Sequence, residues 1–157
     1  MNQSPPSYEQ FIDAFCGLTD ADPPSMRHTR FDLTVAGTNF SLLPSSNLEG
    51  IVDGVAYFGE VGMLPEHGRA EAAVQLLEQN LYSVGADIPA YCCHPEKPGM
   101  VLIAGRMPLR ITSPERAMHA LNVLAQNAAE MRESFAKPAG RSVVPSSYTS
   151  AAARLRG

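Results

Sequence analysis

The sequence predicts an α+β domain in which helices pack on a twisted, mostly antiparallel sheet. Three patterns predict it. From Arg30 to Pro44 apolar and polar residues alternate with the two-residue period of a half-buried strand. Near the start, middle and end of the chain, apolar residues instead recur at spacings of three and four, the period of an amphipathic helix. Clusters of glycine and proline separate the two kinds of segment. The resulting order is helix, three strands, helix, two strands, helix.

Each element has its own local reason. Residues 1–6 read as a loose leader, with neither a basic start nor an apolar stretch before Tyr8, so no signal peptide is expected. Ser7 can cap a helix over Tyr8 to Leu18, whose apolar face is Tyr8, Phe11, Ile12 and Phe15; Gly17 and then Pro23-Pro24 end it. Phe31, Leu33 and Val35 form one strand, Ala36-Gly37-Thr38-Asn39 the turn, and Phe40 and Leu42 the returning strand, a hairpin that stops at Pro44. A third strand over Gly50 to Leu64 is expected to bend or bulge at Gly54, Gly59 and Gly62.

Pro65-Glu66 opens the second helix, which runs to about Tyr82 with Gly85 as its C-cap. Its main stripe is Ala70, Val74, Leu77 and Leu81, widened by Ala73 and Leu76. A stripe that wide suits a helix covering both a sheet and something else. Ala90 to His94 and Met100 to Met107 are two further strands, joined by the turn Pro95-Glu96-Lys97-Pro98-Gly99 and closed by Pro108. The last helix starts near Thr112-Ser113-Pro114-Glu115. Either Thr112 caps it with Glu115 answering, or Ser113 caps it with Pro114 at the first helical position. Ala117, Leu121, Leu124, Ala128, Met131 and Phe135 then recur over more than five turns. From Lys137 the composition turns to Pro, Gly, Ser and Ala, so 137–157 reads as a disordered, weakly basic tail behind a domain of residues 7–136.

Charge narrows the function. The chain of 157 residues has 12 Lys and Arg against 16 Asp and Glu. Four of the basic residues (Lys137, Arg141, Arg154 and Arg156) stand in the acid-free last 21 residues, which leaves −8 on residues 1–136. An acidic body argues against a nucleic-acid surface, which needs clustered Lys and Arg. No apolar run approaches the ~20 residues of a membrane-spanning helix, so no membrane insertion is expected. Three cysteines, Cys16, Cys92 and Cys93, make no disulfide framework, and a reducing cytoplasm is the default setting.

No chemical motif rises above this background. Cys92-Cys93-His94 lacks the paired spacing zinc needs, and adjacent strand residues point to opposite faces, so no metal site is assigned. No phosphate-cradling glycine loop, nucleophile elbow or paired histidine is present. No catalytic residue and no cofactor are assigned.

The same order of elements, with these residues, resembles the CesT/Tir-chaperone family of bacterial type III secretion. Leu76-Leu77-Glu78-Gln79-Asn80-Leu81 resembles the family's Leu-Leu-x-x-Asn-hydrophobic signature in the second helix. Arg106-Met107-Pro108-Leu109 is similar to its arginine-apolar-proline-leucine close, and Ala128-Ala129-Glu130-Met131-Arg132 to the end of its last helix. The resemblance spans roughly residues 7–136. It implies a cytoplasmic, non-enzymatic homodimer that binds the unfolded N-terminal region of secreted effector proteins without ATP. It also implies a dimer contact built by the second helix and the strand after it: Ala73, Val74, Leu76, Leu77, Leu81 and Tyr91. Effector capture would combine apolar grooves with strand addition at a sheet edge. Phe11, Phe15, Phe31, Leu33, Phe40 and Leu42 would line or back those grooves, though periodicity alone assigns them only to a core. The secretion ATPase is a candidate further partner. Two other classes stand beside this reading: a small enzyme or ligand-binding α+β domain, and a regulatory protein that binds a folded secretion component.

Overall fold

The computed structural model describes residues 6–19, 29–81 and 89–136. Within them the chain forms α1 (Tyr8–Thr19), β1 (Phe31–Val35), β2 (Thr38–Ser46), β3 (Val52–Met63), α2 (Arg69–Leu81), β4 (Ala90–Cys93), β5 (Met100–Pro108) and α3 (Pro114–Ala136). The expected order of elements is the order found. Pro23-Pro24, Tyr82, Gly85 and the expected tail lie outside the described residues.

Helix α1 starts on a reciprocal cap. The Gln10 N–H donates to Ser7 Oγ at 3.2 Å, and the Ser7 N–H donates to Gln10 Oε1 at 2.9 Å. The helix does not end at Gly17 but runs on to Thr19. At the start of α3 the two candidate caps are separated: Ser113 Oγ accepts from the Arg116 N–H at 3.3 Å, with Pro114 as the first helical residue.

The five strands form one antiparallel sheet in the order β1-β2-β3-β5-β4. The β1–β2 hairpin closes on Ala36 (φ 45°) and Gly37 (φ 78°), two left-handed residues as a type I′ turn requires. Strand β2 does not stop at Pro44 but continues to Ser46. The alternation set by the hairpin turns Pro44 towards β1, which has already ended at the Phe31–Leu42 pair, so its missing N–H leaves no ladder bond unmade.

Of the three β3 glycines expected to bend or bulge the strand, Gly54 and Gly62 lie at slips in register and Gly59 does not. The β2–β3 register slips between the Ser45–Gly54 and Ser46–Val52 pairs, leaving Asp53 over. The β3–β5 register slips between Glu60 and Gly62, and Gly62 has φ 150°. Arg132 of α3 satisfies the groups exposed there: its guanidinium donates to the carbonyls of Glu60 (3.3 Å) and Val61 (3.0 Å) and to the buried Thr38 Oγ1 (3.3 Å). Gly59 is instead a point of close approach, and Gly54 is one as well. A Cβ on Gly59 would stand 2.5 Å from the Phe40 ring, and one on Gly54 would stand 2.8 Å from the Arg106 guanidinium.

One face of the sheet carries the core. Phe31, Phe40, Leu42, Val55, Val61 and Ile103 are buried on it, in register across four strands. Phe11, Ile12 and Phe15 of α1 and Leu121, Ala128 and Met131 of α3 belong to the same cluster. Phe15 stacks on Phe11 (centroids 5.9 Å apart) and meets Phe31 edge-on at 6.3 Å. The Tyr8 hydroxyl shares its proton between the carbonyls of Leu42 (3.0 Å) and Thr29 (3.1 Å), tying α1 to β2 and to the chain leading into β1.

Candidate functional site

Helix α2 carries the chain from the central strand β3 to the far edge strand β4, and it presents two apolar stripes. Leu76 is buried, and Ala72 and Ala73 pack against the core. Val74, Leu77 and Leu81 are 52%, 67% and 70% exposed. The stripe that the sequence ranks first is therefore the outward one, and the residues that widen it attach the helix to the rest of the chain. The segment Leu76-Leu77-Glu78-Gln79-Asn80-Leu81 resolves into two pairs one helical turn apart. Leu76 and Asn80 face the subunit, while Leu77 and Leu81 face away from it.

Asn80 has a specific task on the inward side. Its Nδ2 donates to the Tyr91 carbonyl at 2.8 Å, and its Oδ1 accepts from the Tyr91 N–H at 2.7 Å. Tyr91 is itself buried, as the residue of β4 opposite Ile103.

The opposite face of the sheet is polar along β1 and β2. Asp32 accepts from Arg30 Nε and Ser41 Oγ, both at 2.6 Å. Thr34 Oγ1 donates to Asn39 Oδ1 at 2.9 Å, and Asn39 Nδ2 donates to Glu60 Oε2 at 3.1 Å. Lys97, from the β4–β5 turn, reaches Glu60 Oε1 at 2.9 Å. The bonds from Lys97 and Asn39 hold the Glu60 carboxyl below its ordinary range. Further along, Arg106 joins Asp53 and Ser45. A depression of about 310 Å³ lies on this face, bounded by Arg30, Asp32, Thr34, Asn39, Ser41 and Glu60 among others. Its lining holds two carboxylates, Asp32 and Glu60, and the hydroxyls of Thr34 and Ser41, but neither histidine nor cysteine. Phe58, in the row Ser41–Phe58–Ala104–Ala90, is an exposed aromatic ring on the same face, and the sequence pattern did not single it out.

The residues expected to line or back client grooves are gathered in one place. Phe11, Phe15, Phe31, Phe40 and Leu42 are buried together, and the half-buried Leu33 packs against them from β1. Cys92 and Cys93 stand opposite Leu102 and Val101 on successive positions of β4, so their side chains leave on opposite faces. Burial, then the neighbouring Cys93, pushes the Cys92 thiol up, the reverse of an activated nucleophile. Among the described residues no three His, Cys, Asp or Glu side chains gather as a metal site would require, and no helix is long and apolar enough to cross a membrane.

Neither a protein-family model nor a curated protein sequence matches the chain. Solved structures do. The Yersinia pestis type III secretion chaperone SycH, in complex with a stable fragment of YscM2, superposes with a TM-score of 0.61 over 80% of this chain and 99% of that one, at 15% identity. The fold is a secretion-chaperone fold. The ExoT–SpcS complex of Pseudomonas aeruginosa matches with a TM-score of 0.56 over 81% of this chain and 98% of its own, at 24% identity. Almost the whole of each secretion-chaperone-like match is thus represented between the two ends of this chain, and the fold expected from the resemblance is the fold found.

Proposed function

We propose that the chain is a dimeric secretion chaperone, which binds the unfolded N-terminal region of a secreted effector protein in the bacterial cytoplasm. It keeps that region soluble and export-competent without ATP. The observation that carries this reading is the near-complete overlap with SycH, a chaperone whose structure holds a fragment of another protein.

Two features of the chain support it. Val74, Leu77 and Leu81 form an outward apolar flank on α2, and a two-fold contact between copies would bury it against itself. Ala73, Leu76 and Tyr91 shape that contact from behind by holding α2 and β4 in place. The outer edge of β1 pairs with no described strand, and the apolar cluster of Phe11, Phe15, Phe31, Leu33, Phe40 and Leu42 lies behind it. A client strand added there would gain main-chain bonds along the edge and apolar contact beside it.

Purifying the tagged chain from its native host tests the reading. The expected result is a co-purifying secreted protein that is digested by protease except for an N-terminal segment protected by the chain, in a complex that survives without nucleotide. Recovery of a wholly protease-resistant, folded partner such as the secretion ATPase would contradict it and favour a regulatory role.

A further inference from the structure

A five-stranded open sheet has two edges, and an unpaired edge is a template for any extended chain. Here the edges are β1 and β4, and they are not equivalent. In β4 the Cys92–Leu102 pair and the His94 N–H to Met100 carbonyl bond (2.8 Å) turn residues 92 and 94 towards β5. Antiparallel alternation then turns residues 89, 91 and 93 outward. Residue 89 is a proline and has no N–H to offer. Tyr91 offers both groups, and the Asn80 side-chain amide takes both, at 2.7 and 2.8 Å. A carboxamide presents one donor and one acceptor side by side, as a residue of a neighbouring strand does. On β1 the I′ hairpin turns Asp32 and Thr34 outward, and neither backbone meets such a plug among the described residues.

We infer that Asn80 is a strand surrogate that closes the β4 edge, so that strand addition is confined to β1. This deepens the proposed chaperone function and rests on it for the identity of the added strand, an extended client segment. The closure of β4 itself does not depend on that reading. Leu76, one turn earlier on the same helix face, is the anchor that sets Asn80 against the strand. With Tyr91 occupied, Cys93 at the end of the strand is the one outward residue left with both groups. That is too short a stretch for sheets of neighbouring molecules to join through β4, and each subunit takes one extended segment on one side.

The test uses the full chain with Asn80→Leu, which keeps side-chain bulk and removes both bonds, and with Asn80→Asp, which keeps the acceptor and removes the donor. Amide hydrogen exchange at Tyr91 and sedimentation velocity are measured on samples whose circular dichroism matches the unmodified chain. Exchange at Tyr91 should accelerate at least about tenfold in Asn80→Leu and by less in Asn80→Asp. Asn80→Leu should also form assemblies larger than those of the unmodified chain, and adding Cys93→Lys, a charge on the opened edge, should dissolve them. Unchanged exchange and unchanged mass in both variants would overturn the inference, as would assemblies that persist with Cys93→Lys. If Asn80→Leu does not fold, Asn80→Asp decides on Tyr91 exchange alone. None of these readouts involves a client, so a failed client purification with open-edge behaviour in the variants would refute the chaperone reading and leave the closure of β4 standing.

Discussion

Tyr8 joins three parts of the molecule through a single oxygen. Its ring belongs to the α1 face, and its hydroxyl bonds to carbonyls on the chain leading into β1 and on β2. Burial pushes its pKa from 10.0 up to about 12. The neutral hydroxyl is thus favoured in the folded chain, and its contribution to stability is complete below pH 10. Above that the unfolded chain loses the proton first, so stability falls until the pH passes about 12. Tyr8→Phe removes this shared hydrogen bond and is expected to cost roughly 1–3 kcal/mol at neutral pH. It should also flatten the alkaline limb of a urea-denaturation series, while the unmodified chain loses stability across that window. Arg132 has a comparable joining role at the β3 bulge, where three acceptors from two strands converge on one guanidinium. That residue was legible in the sequence only as part of a helix ending. Its partners lie more than seventy residues away, which no local pattern encodes.

At the scale of elements, α2 shows what periodicity can and cannot say. A helical stripe reports that a face is apolar, and α2 has two such faces of similar composition, so the pattern alone left open which one faces home. The polar residue one turn after Leu76 is the discriminating signal: Asn80 belongs to the face that meets β4 because it has backbone groups to satisfy there. Leu76→Asp is accordingly expected to cost several kcal/mol by placing an unpaired charge in the core, seen as loss of cooperative unfolding. The strands were legible from alternation and the hairpin from its turn residues, but the turn is tighter than the four residues expected, because Thr38 and Asn39 already pair with β1. Gly59 was misread as a bend because a glycine that admits a distant side chain looks the same in sequence as one that turns the chain. The polar rows of the outer face were visible as alternation, but their bonding across β2, β3 and the β4–β5 turn was not.

The proposed function assigns a separate task to each end of the molecule. At the β1 end an edge that pairs with no described strand stands before an apolar, largely aromatic cluster. At the β4 end Asn80 meets the outward groups of Tyr91 beside a helix whose outer flank has no partner among the described residues. Residues 1–136 carry a net charge of −8, so two copies brought together repel, and the apolar contact must outweigh that repulsion. Salt should therefore strengthen association through the α2 flank by screening the like charges. Leu77 sits at the middle of that flank and is 67% exposed, so a charge placed there is solvated in a single subunit and buried only when two copies meet. Sedimentation equilibrium of the unmodified chain beside Leu77→Asp at micromolar concentration is the direct measurement. The account predicts a dimer for the first and a monomer with unchanged circular dichroism for the second; a monomeric unmodified chain, or a Leu77→Asp variant that remains dimeric, would contradict it.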